Sequence, residues 1–182
     1  DFALDADAVA AAVTPRTKLI FLASPNNPTG NPIHKQQVVR LLATGAVVVV
    51  DEAYYEFHGQ TVVPLVGEFD NLVVLRTFSK WAGIAGLRLG YGVFPAEIVA
   101  QLWKVKQPYN VNSAAQVAAL ATLEDRPAVE ATIKRLRAER GRLYRALRKL
   151  QLLRPYESEA NFLLCKVLLG DARTLKQNLE AE

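Results

Sequence analysis

Ala46-Val47-Val48-Val49-Val50-Asp51-Glu52-Ala53-Tyr54 is the stretch that decides the fold. Five apolar residues run without alternation and stop at two carboxylates. A strand with one wet face alternates polar and apolar side chains. A run without alternation reads as a strand covered on both faces, the habit of a parallel sheet between helices. Three further runs flank it. Lys18-Leu19-Ile20-Phe21-Leu22-Ala23 precedes it and ends in Ser24-Pro25-Asn26-Asn27-Pro28-Thr29-Gly30. Asn71-Leu72-Val73-Val74-Leu75-Arg76 follows it and ends in Thr77-Phe78-Ser79-Lys80, and Leu89-Gly90-Tyr91-Gly92-Val93-Phe94 is the fourth. Between the first two, residues 32–44 place Val38, Val39, Leu41 and Leu42 at helical spacing behind a proline. Helices are also predicted over 6–13, 96–105 and 114–123. The order predicts an α/β fold, a three-layer α/β/α unit with a mostly parallel sheet.

Further along, residues 126–150 hold nine basic and two acidic side chains, a local charge of +7 in a chain of net +4. Val129, Ile133, Leu136, Leu143, Leu147 and Leu150 recur there in steps of four, three and seven, which predicts a long helix with one buried stripe. The basic residues are then its solvated side. Neither interleaved aromatics nor a glycine-rich RNA signature accompanies them, so no nucleic-acid surface is expected. Leu152-Leu153-Arg154-Pro155 and Asn161-Phe162-Leu163-Leu164-Cys165-Lys166-Val167 read as two strands, followed by a helix from about residue 171. A boundary near residue 150 divides the chain into 1–125, a connecting helix over 126–150, and the start of a smaller α+β unit over 151–182.

The chain has 182 residues, 51% of them hydrophobic and 22% charged. Such a composition excludes a disordered chain, a collagen-like repeat and a disulfide scaffold. No apolar run approaches bilayer thickness, so no membrane partner is expected. The opening residues lack the features of a signal peptide. One cysteine, Cys165, fits a reducing compartment and a cytoplasmic location. A chain of this length that starts at Asp1 and contains no Met is expected to be a piece of a longer protein. His34, His58 and Cys165 show no metal-ligand spacing, so no metal is expected. A Gly-x-Ser-x-Gly elbow and a Walker loop are both absent.

In open α/β sheets ligands gather beyond the carboxyl ends of the strands. The polar clusters that end the first three runs form a chemical set. Lys80 in apolar surroundings is suited to a Schiff base with an aldehyde. Thr77, Ser79 and Arg88 are donors for a phosphate dianion. Asp51, ending a buried strand, calls for a cationic or hydrogen-bonding partner such as a pyridinium nitrogen. Tyr54 and Asn27 can donate to a phenolate-like oxygen. Aldehyde, phosphate, ring nitrogen and ring hydroxyl are the four handles of pyridoxal 5′-phosphate. Plainer roles exist for each. Asp51 could cap a helix, Arg88 form a surface ion pair, and Thr77 and Ser79 cap a helix start. Asn26 and Asn27 with Pro and Gly suit any turn. Tyr54 could belong to the core, where Tyr55 is expected.

With those motifs in order, the chain resembles the fold-type I pyridoxal-phosphate aminotransferases of the aspartate aminotransferase superfamily. Within them it is similar to the histidinol-phosphate aminotransferase group, class II aminotransferases. Gly86-Leu87-Arg88-Leu89-Gly90-Tyr91, Pro108-Tyr109-Asn110-Val111-Asn112 and Glu159-Ala160-Asn161-Phe162-Leu163 carry the resemblance as well. It covers essentially the whole chain. It implies a transaminase in histidine biosynthesis that converts L-histidinol phosphate and 2-oxoglutarate to imidazole acetol phosphate and L-glutamate. By the same resemblance Lys80 is the Schiff-base lysine and general acid/base, and Asp51 pairs with the ring nitrogen. Tyr54 and Asn27 then meet the ring oxygen, and Thr77, Ser79 and Arg88 the phosphate. Residues 1–125 become the C-terminal part of the cofactor-binding large domain. A homodimer is implied. So are parts beyond this chain, namely the early glycine turn at the phosphate, the N-terminal arm and the arginine that clamps the substrate carboxylate. The fragment alone is therefore expected to be inactive. Trp81 departs from the small residue that related sequences often carry after the lysine. Related possibilities are an aromatic aminotransferase, a threonine-phosphate decarboxylase and, in another class, an aminotransferase-like sensor domain of a transcription regulator.

Overall fold

The computed structural model describes residues 2–181. Strands β1 (Leu19–Ala23), β2 (Val47–Asp51), β3 (Leu72–Thr77) and β4 (Gly90–Val93) form one sheet in that order. The first three are parallel and β4 runs antiparallel to β3. The predicted strands are all present, and the sheet is mostly parallel. Its register aligns Ile20 with Val48 and Leu72, and Leu22 with Val50 and Val74. Because side chains alternate along a strand, these six residues share one face. Helices α1 (Ala6–Ala12) and α2 (Lys35–Leu42) pack there through Ala6, Val38, Leu41 and Leu42, and Leu65 of a 3-10 turn completes the core. Burying each large aliphatic side chain stabilises the fold by roughly 1.5–3 kcal/mol.

Helix α2 is shorter than the 32–44 expected from sequence. Pro32 and Ile33 stay outside the helix, and the chain turns inward only after His34, whose backbone N–H donates to the Gln37 side chain. Gly45, at φ +81°, supplies the left-handed turn into β2. On the opposite sheet face Val49 and Val73 are buried, whereas Leu19 and Phe21 are 52% and 69% exposed. The expectation of strands covered on both faces thus holds for β2 and β3 but fails for β1. Among the described residues β1 is the sheet's edge and pairs only with β2.

After a one-turn helix α3 (Tyr55–His58), β3 and β4, three helices follow: α4 (Ala96–Val105), α5 (Ser113–Glu124) and α6 (Arg126–Leu147). A second sheet joins β5 (Leu153–Pro155) to β6 (Cys165–Val167) antiparallel, and α7 spans Ala172–Ala181. Both strands are shorter than their apolar runs. Residues 156–164 instead form a loop that reaches back to the first sheet. The stripe on α6 is not the buried one expected: Ile133 is half-buried against Tyr54, Phe57 and Ala160, but Leu136 and Leu143 are over 40% exposed. Among the described residues α6 packs on α3, α5 and β5, too few elements to cover 22 residues of helix.

Candidate functional site

The loop after β1 is sealed by its own polar groups. Gly30 N–H donates to Asn26 O at 2.7 Å, Asn26 N–H to Asn31 O at 2.9 Å, and the Asn26 amide to Thr29 Oγ1 at 2.7 Å. The Thr29 hydroxyl donates in turn to the Asn31 side chain. Asn27 is left out of this closure. Its exposed side chain crosses to the loop after β2 and donates to the Tyr54 hydroxyl at 2.9 Å. Tyr54 is 7% exposed, its ring edge-on to Phe162 at 5.2 Å, so it is a core residue and a hydrogen-bonding one at once. Tyr55 is not the core residue expected from sequence. It opens α3, half-buried, with the Arg76 guanidinium stacked 3.5 Å from its ring centroid. Lys80 Nζ lies over the Tyr54 ring, 5.8 Å from its centroid. Asn27, Tyr54 and Lys80, from three separate motifs, are therefore brought together.

Asp51 ends β2 in register with Ala23 and Leu75. Its carboxylate is exposed, and one oxygen accepts the Ala53 backbone N–H at 2.9 Å. The burial that its strand-end position suggested is absent among the described residues, because the carboxylate faces away from the α1–α2 core. After β3 the chain forms a turn in which the Thr77 hydroxyl accepts from Ser79 N–H at 3.0 Å and lies 3.2 Å from Leu89 O. Trp81 is fixed by two contacts of its own. Its indole N–H donates to Thr77 O at 2.7 Å, and its ring packs on Phe78. Phe78 N–H donates to Leu89 O, which ties the segment carrying Arg88 to the same turn. Arg88 adopts a left-handed backbone (φ +57°), and its exposed guanidinium donates to Ala85 O at 3.0 Å. Thr77, Ser79 and Arg88 thus border one turn but are not joined side chain to side chain.

Two clusters escaped the sequence reading. Glu52, 2% exposed, accepts from Thr61 Oγ1 at 2.7 Å, Val62 N–H at 2.8 Å and Arg76 Nη2 at 2.8 Å. Burial opposes the Arg76 charge, but Tyr91 and Glu52 together outweigh it and hold its pKa above the usual value. Beside them burial lifts the Glu56 carboxyl to about 7. The available signal was a carboxylate and a guanidinium at matching ends of adjacent parallel strands. In the second cluster, Arg140 of α6 donates to Ala160 O at 2.7 Å and Glu159 at 3.1 Å, while Glu159 N–H donates to Gly30 O at 2.8 Å. His58 Nδ1 lies 3.8 Å from the same Glu159 carboxylate, and burial is the chief cause lowering its pKa. Arg140, one of the basic residues read as solvated, in fact holds the 157–162 loop against Tyr54 and Gly30. Among the described residues no cluster of His, Cys, Asp and Glu is suited to a metal ion.

The donor set beyond β1, β2 and β3 suits an anionic aromatic ligand with a reactive carbonyl. It offers a primary amine, an amide–phenol pair, a carboxylate that is mostly unpartnered, and a hydroxyl-bearing turn beside a permanent cation.

Comparison with known proteins points the same way. Histidinol-phosphate aminotransferase of Dehalococcoides mccartyi is 52% identical over 171 residues, 94% of this chain and 48% of that protein. The chloroplastic histidinol-phosphate aminotransferase 1 of Arabidopsis thaliana is 47% identical over 98% of this chain and 44% of its own length. The chain spans about half the length of these curated relatives. The crystal structure of histidinol-phosphate aminotransferase from Clostridium acetobutylicum superposes with a TM-score of 0.90 at 26% identity, covering 98% of this chain and 56% of that one. The Sinorhizobium meliloti enzyme, solved in complex with pyridoxal-5′-phosphate, gives 0.83 at 26% identity over 92% of this chain and 47% of that one. Residues 1–180 match the family described as aminotransferase class I and II, and the chain belongs to it.

Proposed function

We propose that this chain is part of a pyridoxal-phosphate-dependent aminotransferase that converts L-histidinol phosphate and 2-oxoglutarate to imidazole acetol phosphate and L-glutamate. The observation that carries the reading is the meeting of Asn27, Tyr54 and Lys80, in a chain about half identical to relatives of that name. Pyridoxal 5′-phosphate, when bound, supplies a ring that draws negative charge away from the substrate α-carbon. Lys80 would hold it through its amine and then move a proton at that carbon. Asp51 would keep a ring nitrogen protonated, its carboxylate being exposed and otherwise bonded only within its own turn. The Asn27 amide and Tyr54 hydroxyl would orient the ring from its oxygen side. Thr77, Ser79 and Arg88 would hold the phosphate, given that their shared turn presents hydroxyls beside a guanidinium.

Residues 1–125 would then be the C-terminal part of the cofactor-binding domain, 126–150 the connecting helix, and 151–182 the start of the small domain. The separateness of the two sheets supports this division. A homodimer belongs to the same proposal, supported by the exposed apolar residues Trp103, Val105, Tyr109, Val117 and Leu120 around α4 and α5. A cytoplasmic location is supported by the free thiol Cys165. No described helix is long and apolar enough to cross a membrane. The full-length protein, offered histidinol phosphate, phenylalanine and threonine phosphate as substrates, should turn over histidinol phosphate well ahead of the others. Preference for phenylalanine, or carbon dioxide release from threonine phosphate, would refute the substrate assignment.

A further inference from the structure

We propose that Glu52 and Arg76 are positioning residues that set the separation of Asp51 from Thr77, and so the spacing of the two ends of the cofactor site. The inference rests on the functional reading above. The last register pair of β2 and β3 is Asp51 with Leu75, and Glu52 N–H donates to Leu75 O at 2.8 Å. Alternation along the strands therefore puts Glu52 and Arg76 on the core face, with Asp51, Leu75 and Thr77 on the other. Each member of the ion pair is the chain neighbour of a proposed cofactor ligand: Glu52 follows Asp51, and Arg76 precedes Thr77.

The join is a fork. Arg76 reaches the Glu52 carboxylate through Nε at 3.1 Å and Nη2 at 2.8 Å, and Nη2 also donates to Thr61 Oγ1 at 2.8 Å. The other carboxylate oxygen, Oε1, accepts from the Val62 N–H at 2.8 Å and lies 2.9 Å from Thr61 Oγ1. Both of these guanidinium N–H groups converge on Glu52 Oε2. Thr61 Oγ1, which accepts from Nη2 and reaches the carboxylate, closes a ring of contacts that fixes the pair more tightly than a single bond. Arg76 also stacks on Tyr55 at 3.5 Å, next in the chain to the Tyr54 whose hydroxyl meets Asn27. One guanidinium thus braces the backbone beneath Asp51, Tyr54 and Thr77. Stability does not require an ion pair here, because well-packed apolar side chains commonly replace a buried pair at no loss. Geometry does require it: a site left about 1 Å too loose can lose ~100-fold in rate.

The test compares full-length parent, Glu52→Leu/Arg76→Met and Glu52→Gln. The affinity of each apoprotein for pyridoxal 5′-phosphate is titrated by absorbance, alongside its unfolding midpoint without cofactor and its kcat and KM. The double variant is expected to keep the parent's midpoint to within a few degrees while binding the cofactor at least ~10-fold more weakly, as a misplaced site should. Glu52→Gln keeps the shape and weakens the fork, so it should lose affinity without a matching loss of midpoint, which covers the case of a double variant that does not fold. A folded variant that binds as tightly as the parent, or affinity and midpoint falling in proportion in both variants, would overturn the inference. Borohydride reduction of the loaded parent separates the two levels. A label on Lys80 with unchanged binding in the variants removes only the positioning role, whereas no label on Lys80 removes the functional reading beneath it.

Discussion

Asp51, proposed to pair with the cofactor, carries little of the structure. Its carboxylate bonds Ala53 N–H and otherwise faces outward, so Asp51→Ala should cost folding only about 0.5–1.5 kcal/mol, the value of one hydrogen bond. If it pairs with a ring nitrogen, stranding that partner costs about 3 kcal/mol or more, a loss of ~100-fold in kcat. Measuring kcat and the denaturation midpoint of this variant in the full-length protein checks both halves, and an unchanged kcat would remove Asp51 from the site. Glu56 gives the converse case. Burial raises its folded pKa from 4.5 to about 7, so the folded state resists the ionised form. Below the unfolded value both states are protonated and nothing is lost. As pH rises from 4.5 through 7 the unfolded chain gives up its proton first, and stability falls until both states are ionised. Glu56→Gln should therefore raise the unfolding midpoint at pH 8 more than at pH 5. With the group only partly buried, the gain at pH 8 should be about 1 kcal/mol. Equal effects at the two pH values would mean that Glu56 ionises as an ordinary surface carboxyl.

At the scale of elements, what the sequence revealed depended on whether a feature was local. The valine run of β2 and the apolar runs of β1 and β3 announce strands, because their covering depends on residue type alone. The polar clusters are equally visible, since topology puts every parallel strand's carboxyl end on one edge, and so Lys80, Asn27 and Tyr54 could be nominated before their meeting was seen. The Glu52–Arg76 fork joins residues 24 apart across two strands, and nothing within either segment signals it. Arg140 is a sharper case. Among eight other basic residues over 126–150 it looks solvated, and only the approach of the 157–162 loop gives it a partner. That loop and the loop after β1 meet at Gly30, whose φ of +78° disfavours a side chain and whose added Cβ would run into the Ser158 side chain. Gly30→Ala should destabilise the full-length protein by about 1–3 kcal/mol through overpacking and backbone strain. Ser158→Gly in the same background should restore part of the midpoint but not all, since the φ penalty remains. Full restoration would mean that the clash alone matters.

At the scale of the whole molecule, the described residues bury one face of the four-stranded sheet well and leave much else uncovered. Phe21 is 69% exposed on edge strand β1, Val105 at the end of α4 and Tyr109 after it are largely bare, and Val117 and Leu120 face outward from α5. Isolated exposed apolar residues are ordinary in soluble proteins, but several on α4 and α5, together with an unpaired strand edge at β1, favour association. The charge of α6 does little to oppose this, because its arginines stand on a different element from these residues. The 182-residue chain produced by itself should therefore sediment as a concentration-dependent mixture and bind an apolar dye. Phe21→Lys should shift the mixture toward monomer: a lysine on an edge strand opposes pairing there and removes the most exposed aromatic side chain of the sheet. The full-length protein should show neither the dye binding nor the response to Phe21→Lys, if the residues that nearly double the chain's length in its relatives cover β1. A wild-type 182-residue chain that stays monomeric and dye-free would mean that these apolar residues are too dispersed to act as a surface.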